Sequence, residues 1–392
     1  SVDPFRLCAS NVFDAKIHGA KVLVYSEVIE FIKEQDTIKG VKVLDHHTGI
    51  VTDYYAPVTV NAGGIWGHHI AQMAGANISM FPAKGALLIF AHRVNSVVIN
   101  RCRKPANADI LVPGDTVCVI GTTSTRVPYE ECDHLKVTPD EVDLLLTEGA
   151  KLAPCLAETR VLRAYAGVRP LVSADNDPSG RNISRGIVCL DHETRDGIKG
   201  FISITGGKLM TYRLMGEMAA DAVCKKLGRD AKCVTADTPL PGSEPGGIEE
   251  ISKKIWEVPT MVQKASVGRF GTQAANLDFD GDVKGSLVCE CEEVSVSEVD
   301  SAIENLEVNN LVDLRRRTRF GMGTCQGELC ACRAAGRLAK ARKCTAKARA
   351  DLKDFMDERW KGMYPVAWGE TLRESAYTQW VYSEVMGLGE EI

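Results

Sequence analysis

Thr205-Gly206-Gly207-Lys208-Leu209-Met210-Thr211-Tyr212-Arg213 closes a short apolar run, Phe201-Ile202-Ser203-Ile204, and opens a helical pattern carried by Met215, Met218, Ala219, Ala222 and Val223. A strand that turns on two glycines into a helix aims unpaired backbone N–H groups, and the positive end of the helix dipole, at the space above the turn. An anion suits that space. Glycine is needed there because a Cβ would block close approach of the backbone. Lys208 adds a full positive charge, and Tyr212 and Arg213 follow within a turn. A phosphate, a carboxylate or the electron-rich edge of a reduced flavin would fit. A plain strand-to-helix turn with a solvated lysine is the bland alternative.

A second turn of this kind lies upstream. In Pro57-Val58-Thr59-Val60-Asn61-Ala62-Gly63-Gly64-Ile65-Trp66-Gly67 a buried strand ends in glycines and leads into a helix around His68 to Ala74. Turns at the carboxyl ends of parallel strands are where α/β folds bind nucleotides, so Asn61, Ala62, Gly63, Gly64 and Trp66 are candidate cofactor contacts. A tight packing turn is the alternative. His68 and His69 have no partner histidines at metal-ligand spacing.

Around these turns the chain divides by texture. Asp3-Pro4 caps a first helix that runs to Gly19. Val22 to Tyr25, Val28 to Ile32, Val41 to Asp45 and Val51 to Tyr55 read as successive strands, with a hairpin turn at His47-Thr48-Gly49. From 78 to 162 the pattern is strand-rich, with Ala86 to Phe90, Ile110 to Val112 and Val117 to Thr123. A helix with capping-box spacing follows at Thr138-Pro139-Asp140-Glu141. This is the pattern of an inserted, mainly antiparallel substrate domain. Arg169 then lies in the apolar run Tyr165 to Leu171, where an arginine is rarely placed without a partner. A buried salt bridge and a clamp for an anionic substrate are the two readings, and Arg185, beyond a polar loop, is a second possible arm.

The composition is that of a soluble globular protein of 392 residues, 45% hydrophobic, 25% charged and −5 in net charge. Nothing is basic enough for a nucleic-acid binder. The longest apolar stretch, Ala86 to Ala91, is far short of the roughly 20 residues of a membrane span. Of fourteen cysteines, eight are scattered singly from Cys8 to Cys233 and read, with Cys344, as small buried side chains. The others are grouped. Cys289-Glu290-Cys291 is followed by Cys325-Gln326-Gly327-Glu328-Leu329-Cys330, with two short helices expected between them (Ser297 to Leu306, Asn310 to Thr318) and a third from about Gln326 to Lys340. Cys-x-Cys on a loop plus Cys-x4-Cys at a helix N-terminus is the ligand set of a [2Fe–2S] cluster. Structural zinc is the rival, and Cys332 the rival for Cys330. Arg315-Arg316-Arg317-Thr318-Arg319 reads as a solvated face, a docking patch or compensation for the cluster's charge. Between the two halves, Pro239, Pro241, Gly242, Pro245, Gly246 and Gly247 mark a loosely packed linker. The tail, with Trp360, Trp368 and Trp380, is expected to pack Leu372, Ala376, Trp380 and Val381 against the body or another protein chain.

Taken together, Val2-Asp3-Pro4, Val60 to Trp66, Gly121-Thr122-Thr123, Ala166 to Leu171 and Thr205 to Arg213, with the cysteine module, resemble the FAD-dependent glycerol-3-phosphate dehydrogenases over essentially the whole chain. The resemblance implies an α/β (α+β) fold in which a flavin domain (1–77 and 163–230) is interrupted by an antiparallel substrate domain (78–162). A linker (231–283), a small helical [2Fe–2S] domain of the BFD type (284–343) and a helical tail (344–392) follow. It implies oxidation of sn-glycerol 3-phosphate to dihydroxyacetone phosphate in anaerobic respiration. Electrons would pass through FAD and Cys289, Cys291, Cys325 and Cys330 to a second catalytic subunit, to a membrane-associated iron–sulfur subunit of the same complex and to the quinone pool. The expected location is cytoplasmic, peripheral on the membrane. Arg169, Arg185 and Lys208, with Tyr212, would hold substrate, Arg169 and Lys208 also serving catalysis. Gly206, Gly207, Lys208, Leu209 and Met210 would meet the flavin. The rival readings are an FAD-dependent amine or amino-acid oxidoreductase and a non-catalytic electron-transfer module. Leu87 stands where aerobic relatives carry a histidine, and no complete Gly-x-Gly-x-x-Gly fingerprint occurs. The chain begins at Ser1, so the expectation is a fragment that lacks the first βαβ unit, binds FAD weakly or not at all and is inactive alone.

Overall fold

A computed structural model describes residues 2–172, 186–254, 258–281 and 283–389. Helix α1 (Pro4–Ile17) starts on Asp3, whose Oδ1 accepts from Phe5 N (2.9 Å) and Arg6 N (3.1 Å). An antiparallel meander follows: β1 (Ser26–Glu34), β2 (Thr37–Asp45) and β3 (Val51–Tyr55). The strand expected at Val22 to Tyr25 is absent. Tyr25 has φ +53° and its hydroxyl is committed to Asp313 and Asn309 N, which breaks the extended run before it can pair.

Strand β4 (Thr59–Asn61) and helix α2 (Gly67–Ala74) flank the first glycine turn. Then comes the large antiparallel sheet, whose strands lie in the order Val161–Val172, Met80–Phe90, Cys118–Gly121, Ile110–Pro113, Ile99–Asn100. It is built from β5 (Met80–Phe90), β6 (Ile99–Asn100), β7 (Ile110–Pro113) and β8 (Cys118–Gly121), with β9 (Thr125–Arg126) paired to β5. Helix α3 (Pro139–Leu152) forms the expected capping box on Thr138 and Glu141 and packs Val142 and Leu145 onto Leu88, Phe90, Leu111 and Ile120. Strand β10 (Val161–Val172) pairs β5 from Val161↔Phe90 to Val172↔Met80. Residues 163–172, expected in the flavin portion, therefore belong to this antiparallel sheet: two long apolar strands in register bury more surface together than apart.

The chain returns through β11 (Ile187–Asp191), α4 (His192–Asp196), β12 (Phe201–Gly206) and α5 (Tyr212–Lys226). Strand β12 pairs β11 antiparallel and β4 parallel. None of α5's side chains is fully buried.

The expected linker is folded. Helices α6 (Gly247–Lys254) and α7 (Thr260–Phe270) enclose a core of their own from Ile251, Val262, Val267, Phe270 and Leu277. Beyond it, β13 (Leu287–Cys289) and β14 (Val294–Ser295) precede α8 (Val296–Asn305) and α9 (Leu311–Thr318), close to the expected helices. The third, α10 (Ala331–Arg342), begins later than expected, because Gln326 (φ +50°) and Gly327 (φ +95°) curl residues 325–330 into turns. Helices α11 (Ala348–Met363) and α12 (Gly369–Trp380) complete the chain.

In α12 the buried positions are Thr371, Ser375 and Thr378, while Leu372, Ala376 and Trp380 are exposed and Val381 is half-buried, so of the two expected uses of that face packing against the body is not the one seen. Thr371 Oγ1 and Ser375 Oγ hydrogen bond to Val161 O (2.6 Å) and Thr371 O (2.7 Å), which lets polar side chains line the contact. Of the scattered cysteines only Cys118 and Cys132 are buried, and Cys8, Cys102, Cys155 and Cys344 are exposed. Among the described residues no helix is long and apolar enough to cross a membrane.

Candidate active site and cysteine centre

The parallel pairing of β4 and β12 sets Asn61 beside Ser203, so both strands deliver their carboxyl ends to one edge. The 206–207 turn needs its glycines. Both have positive φ (+76° and +70°), and an added Cβ would stand 2.4 Å from Gly186 O at one and 2.6 Å from Met215 Sδ at the other. The turn's N–H groups are less available than the sequence implies. Gly207 N donates to Gly186 O (3.1 Å) and Lys208 N to Thr211 Oγ1 (3.0 Å). Lys208, Leu209 and Met210 are exposed beside them.

In the first turn Asn61 points inward. Its Nδ2 donates to Gly67 O (2.8 Å) and Ser203 Oγ (3.1 Å), and its Oδ1 accepts from Gly63 N (3.1 Å). Ser203 in turn meets the fully buried His192, whose other nitrogen meets Asp196 Oδ2 at 2.5 Å. Trp66 is exposed and donates from Nε1 to Asp133 Oδ1 (2.8 Å).

Between the turns lies an apolar cavity of about 350 Å³ lined by Val60, Ala62, Gly64, Pro170, Ile204, Thr205, Gly206, Tyr212, Met215, Gly216 and Ala219. Thr205 Oγ1 is buried without a hydrogen-bond partner among the described residues. A cleft at the ends of parallel strands, walled by small and apolar residues and holding one orphaned hydroxyl, fits a flavin cofactor. Met215, Gly216 and Ala219 do not stand out in the sequence as site residues. Their signal is the spacing from Tyr212, which puts a helix face with a glycine in its middle against the turn.

Arg169 lies on β10, beside Pro170 of the cavity wall. Its Nη2 donates to Thr122 Oγ1 and Thr123 O (3.3 Å), and its Nη1 to Ala83 O (3.5 Å). The guanidinium passes over Gly85, where a Cβ would stand 2.6 Å from Nη2. Alongside, Lys84 Nζ pairs with Glu141 Oε2 at 2.8 Å and donates to Lys136 O at 2.6 Å, a nearly buried ion pair. Thr123 braces both, accepting from Ala86 N and donating to Glu141 Oε1. The motif Gly121-Thr122-Thr123 stands out in the sequence, but nothing there shows that Thr122 meets Arg169 or that Lys84 and Glu141 pair alongside, because partners so distant along the chain meet only across the sheet. Arg185 lies outside the described residues.

The four cysteines converge. Cys291 Sγ is 3.6 Å from Cys325 Sγ, and Cys330 hydrogen bonds to both Cys325 and Cys289. Gly323 makes room, since a Cβ there would stand 2.4 Å from Cys291 Cβ. Hydrogen bonds from Cys291 and Cys330, then from the N–H groups of Leu329 and Gly327, hold the Cys325 thiol far below its ordinary value. Cys289 is also lowered, by Cys330 first, while Cys291 and Cys330 are pushed up by donating to their neighbours. Backbone donors aimed at sulfur are what an anionic iron–sulfur centre requires. Among the described residues no group of three or more His, Cys, Asp or Glu side chains is placed to hold a metal ion. The sulfurs touch as a chain, 291 to 325 to 330 to 289. Cys332 turns away toward Met386 Sδ (3.1 Å).

Residues 1–213 match the family described as FAD dependent oxidoreductase, and residues 287–338 match the BFD-like [2Fe-2S] binding domain. The chain is 57% identical over 391 residues to the A-type subunit of anaerobic glycerol-3-phosphate dehydrogenase from Haemophilus influenzae, covering 100% of this chain and 69% of that one. It is 58% identical over 392 residues to the protein of the same name from Escherichia coli K12, covering 100% and 72%. A solved glycerol-3-phosphate dehydrogenase from Bacillus halodurans, complexed with FAD, shares the fold with a TM-score of 0.73 at 22% identity, covering 93% of this chain and 74% of that one. A chain with both cofactor domains and this identity along its full length belongs to the A-type subunits of the anaerobic glycerol-3-phosphate dehydrogenases, within the FAD-dependent oxidoreductases.

Proposed function

We propose that the chain oxidises sn-glycerol 3-phosphate at C2 to dihydroxyacetone phosphate, with electrons leaving through the four-cysteine centre to partner subunits and the quinone pool on the inner face of the membrane. FAD, when bound across the two glycine turns, supplies the hydride acceptor. The residues that would hold it are Ala62, Gly63, Gly64, Gly206, Gly207, Lys208, Leu209 and Met210, with Asn61 and Trp66 fixing the first turn from behind. Arg169, with Lys208, Arg185 and Tyr212, grips the phosphate and orients the glycerol chain. The Lys84–Glu141 pair keeps the sheet beneath Arg169 rigid.

The observation that carries this reading is the braced guanidinium of Arg169, next to a cavity wall that Gly206 and Tyr212 share. A preorganised fork suits a dianionic phosphate. Steady-state turnover of glycerol 3-phosphate by the FAD-loaded holoenzyme with a dye acceptor tests it. Arg169→Ala is expected to lower kcat/KM by about tenfold to a hundredfold, mostly through KM, as loss of a charge-assisted contact implies. Phosphate esters should compete and amino acids should not. Wild-type kinetics in the variant, or competition by amino acids alone, would replace this reading with an amino-acid oxidoreductase.

A further inference from the structure

At its other end strand β10 packs on α11, the helix that follows the cysteine centre. Arg163 lies flat on α11, where a Cβ at Gly362 would stand 2.4 Å from its Nε. Its Nη2 donates to Glu358 O and Oε1, both at 3.1 Å. Arg163 is 5% exposed, and Arg359, the next residue along α11 from Glu358, is 4% exposed. Arg315 of α9 joins them and donates from Nη2 to Gln326 Oε1 at 3.3 Å. Three guanidinium groups thus meet where β10, α9 and α11 pack.

Their hydrogen bonds do not close. Among the described residues Arg163 Nη1, Arg315 Nε, and Arg359 Nε and Nη2 are buried without a partner. Burial lowers all three from the ordinary arginine value, and the mutual repulsion of Arg163 with Arg359 and Arg315 adds to it. Glu358 faces Arg163 and Arg315, while Glu328 and Glu374 face Arg359. Sulfurs of the centre reach this trio too, Cys330 toward Arg315 and Cys325 toward Arg359, beside the phenols of Tyr165 toward Arg163 and Tyr382 toward Arg359. The neighbouring Arg333 is different, because it is exposed and already bidentate with Glu290 (2.5 and 2.6 Å).

We propose that Arg163 and Arg359, buried, and Arg315, half-buried, are the counter-charge of the iron–sulfur centre: positioning residues that raise its reduction potential and tie its domain to the strand bearing Arg169. The inference rests on assigning a [2Fe–2S] cluster to Cys289, Cys291, Cys325 and Cys330. Reduction adds one electron, and so one negative charge, to a centre already anionic through its four thiolates, with no bond made or broken. Fixed cations in a poorly screened interior favour the more negative form.

The test is an EPR-monitored redox titration of the full chain with its cluster reconstituted, after iron and sulfide analysis. In Arg163→Met and in Arg359→Met the reduced-to-oxidised ratio at fixed poise is expected to fall at least tenfold, 59 mV for a one-electron couple. Arg163→Lys should keep most of the wild-type potential, and the exposed Arg316→Gln should keep all of it. If Arg163→Met takes up no cluster, Arg163→Lys decides: a near-wild-type potential supports the proposal, and a tenfold shift overturns it. Fully loaded Met variants with an unmoved potential overturn the counter-charge alone. A wild-type chain with no reduced-cluster signal overturns the cluster assignment and this inference with it.

Discussion

Asn61 works from inside the protein. Its amide ties the first glycine turn to β12 through Gly63, Gly67 and Ser203, and Ser203 ties on to His192 and Asp196. Removing it leaves several buried polar groups without partners. Asn61→Ala is expected to lower unfolding stability by about 1–3 kcal/mol, read as a reduced urea midpoint at unchanged m-value, and an unchanged midpoint would show that the network is dispensable. The place of this residue is legible in the sequence, since an asparagine at the end of an apolar run before two glycines marks a functional turn. Its direction is not, because a side chain's facing is decided by what packs behind it. Arg169 shows the same division. A guanidinium in an apolar run predicts a specific use, but Thr122 and Ala83 become its partners only through the β5–β10 register and the loop after β8.

Elements with a strong local code, α3 with its capping box and the β1–β3 meander, lie close to their sequence bounds. The segment 240–277 does not, because its proline and glycine density outweighs two short helices that are stabilised chiefly by one another. Glu244 staples that segment: Thr272 Oγ1 donates to its carboxylate, as does Gly242 N at 2.9 Å, and these bonds hold its pKa below the ordinary carboxylate value. A depressed folded pKa gives stability that is present above the unfolded value, about 4.3, and lost as pH falls through the folded one. Thermal melts from pH 6 to pH 3 should therefore show a smaller acid-induced drop in Glu244→Gln than in the wild type, and superimposable pH profiles would remove the staple. Strand β10 is the other element whose role exceeds its local code. Alternation puts Arg163 and Arg169 on one face, six residues and about 20 Å apart, so one strand joins the proposed substrate clamp to the cluster domain.

Across the whole molecule the cluster domain is held from several sides: by β10, by Asp3 of the α1 cap on Arg319 (2.8 Å), and by Arg269 of α7 on the buried Glu298 (2.7 Å). The tail that follows it exposes aromatic side chains. Trp360, Tyr364, Trp368, Tyr377 and Trp380 are all exposed, on the two helices and the short turn that follow the cysteine centre. Aromatic side chains clustered on a surface mark an interface with another protein, and tryptophans tend to carry most of its energy. On the electron path proposed above, a partner subunit would dock there. Trp368→Ser and Trp380→Ser lie away from Arg169 and the glycine turns, so turnover with a dye acceptor should be unchanged. Binding to the partner subunits should weaken by about 2 kcal/mol or more for a central tryptophan, roughly 30-fold in Kd. Co-purification and titration by light scattering measure this directly. Unchanged affinity in both variants would place the docking face elsewhere, with the arginine-rich end of α9 next to be tried.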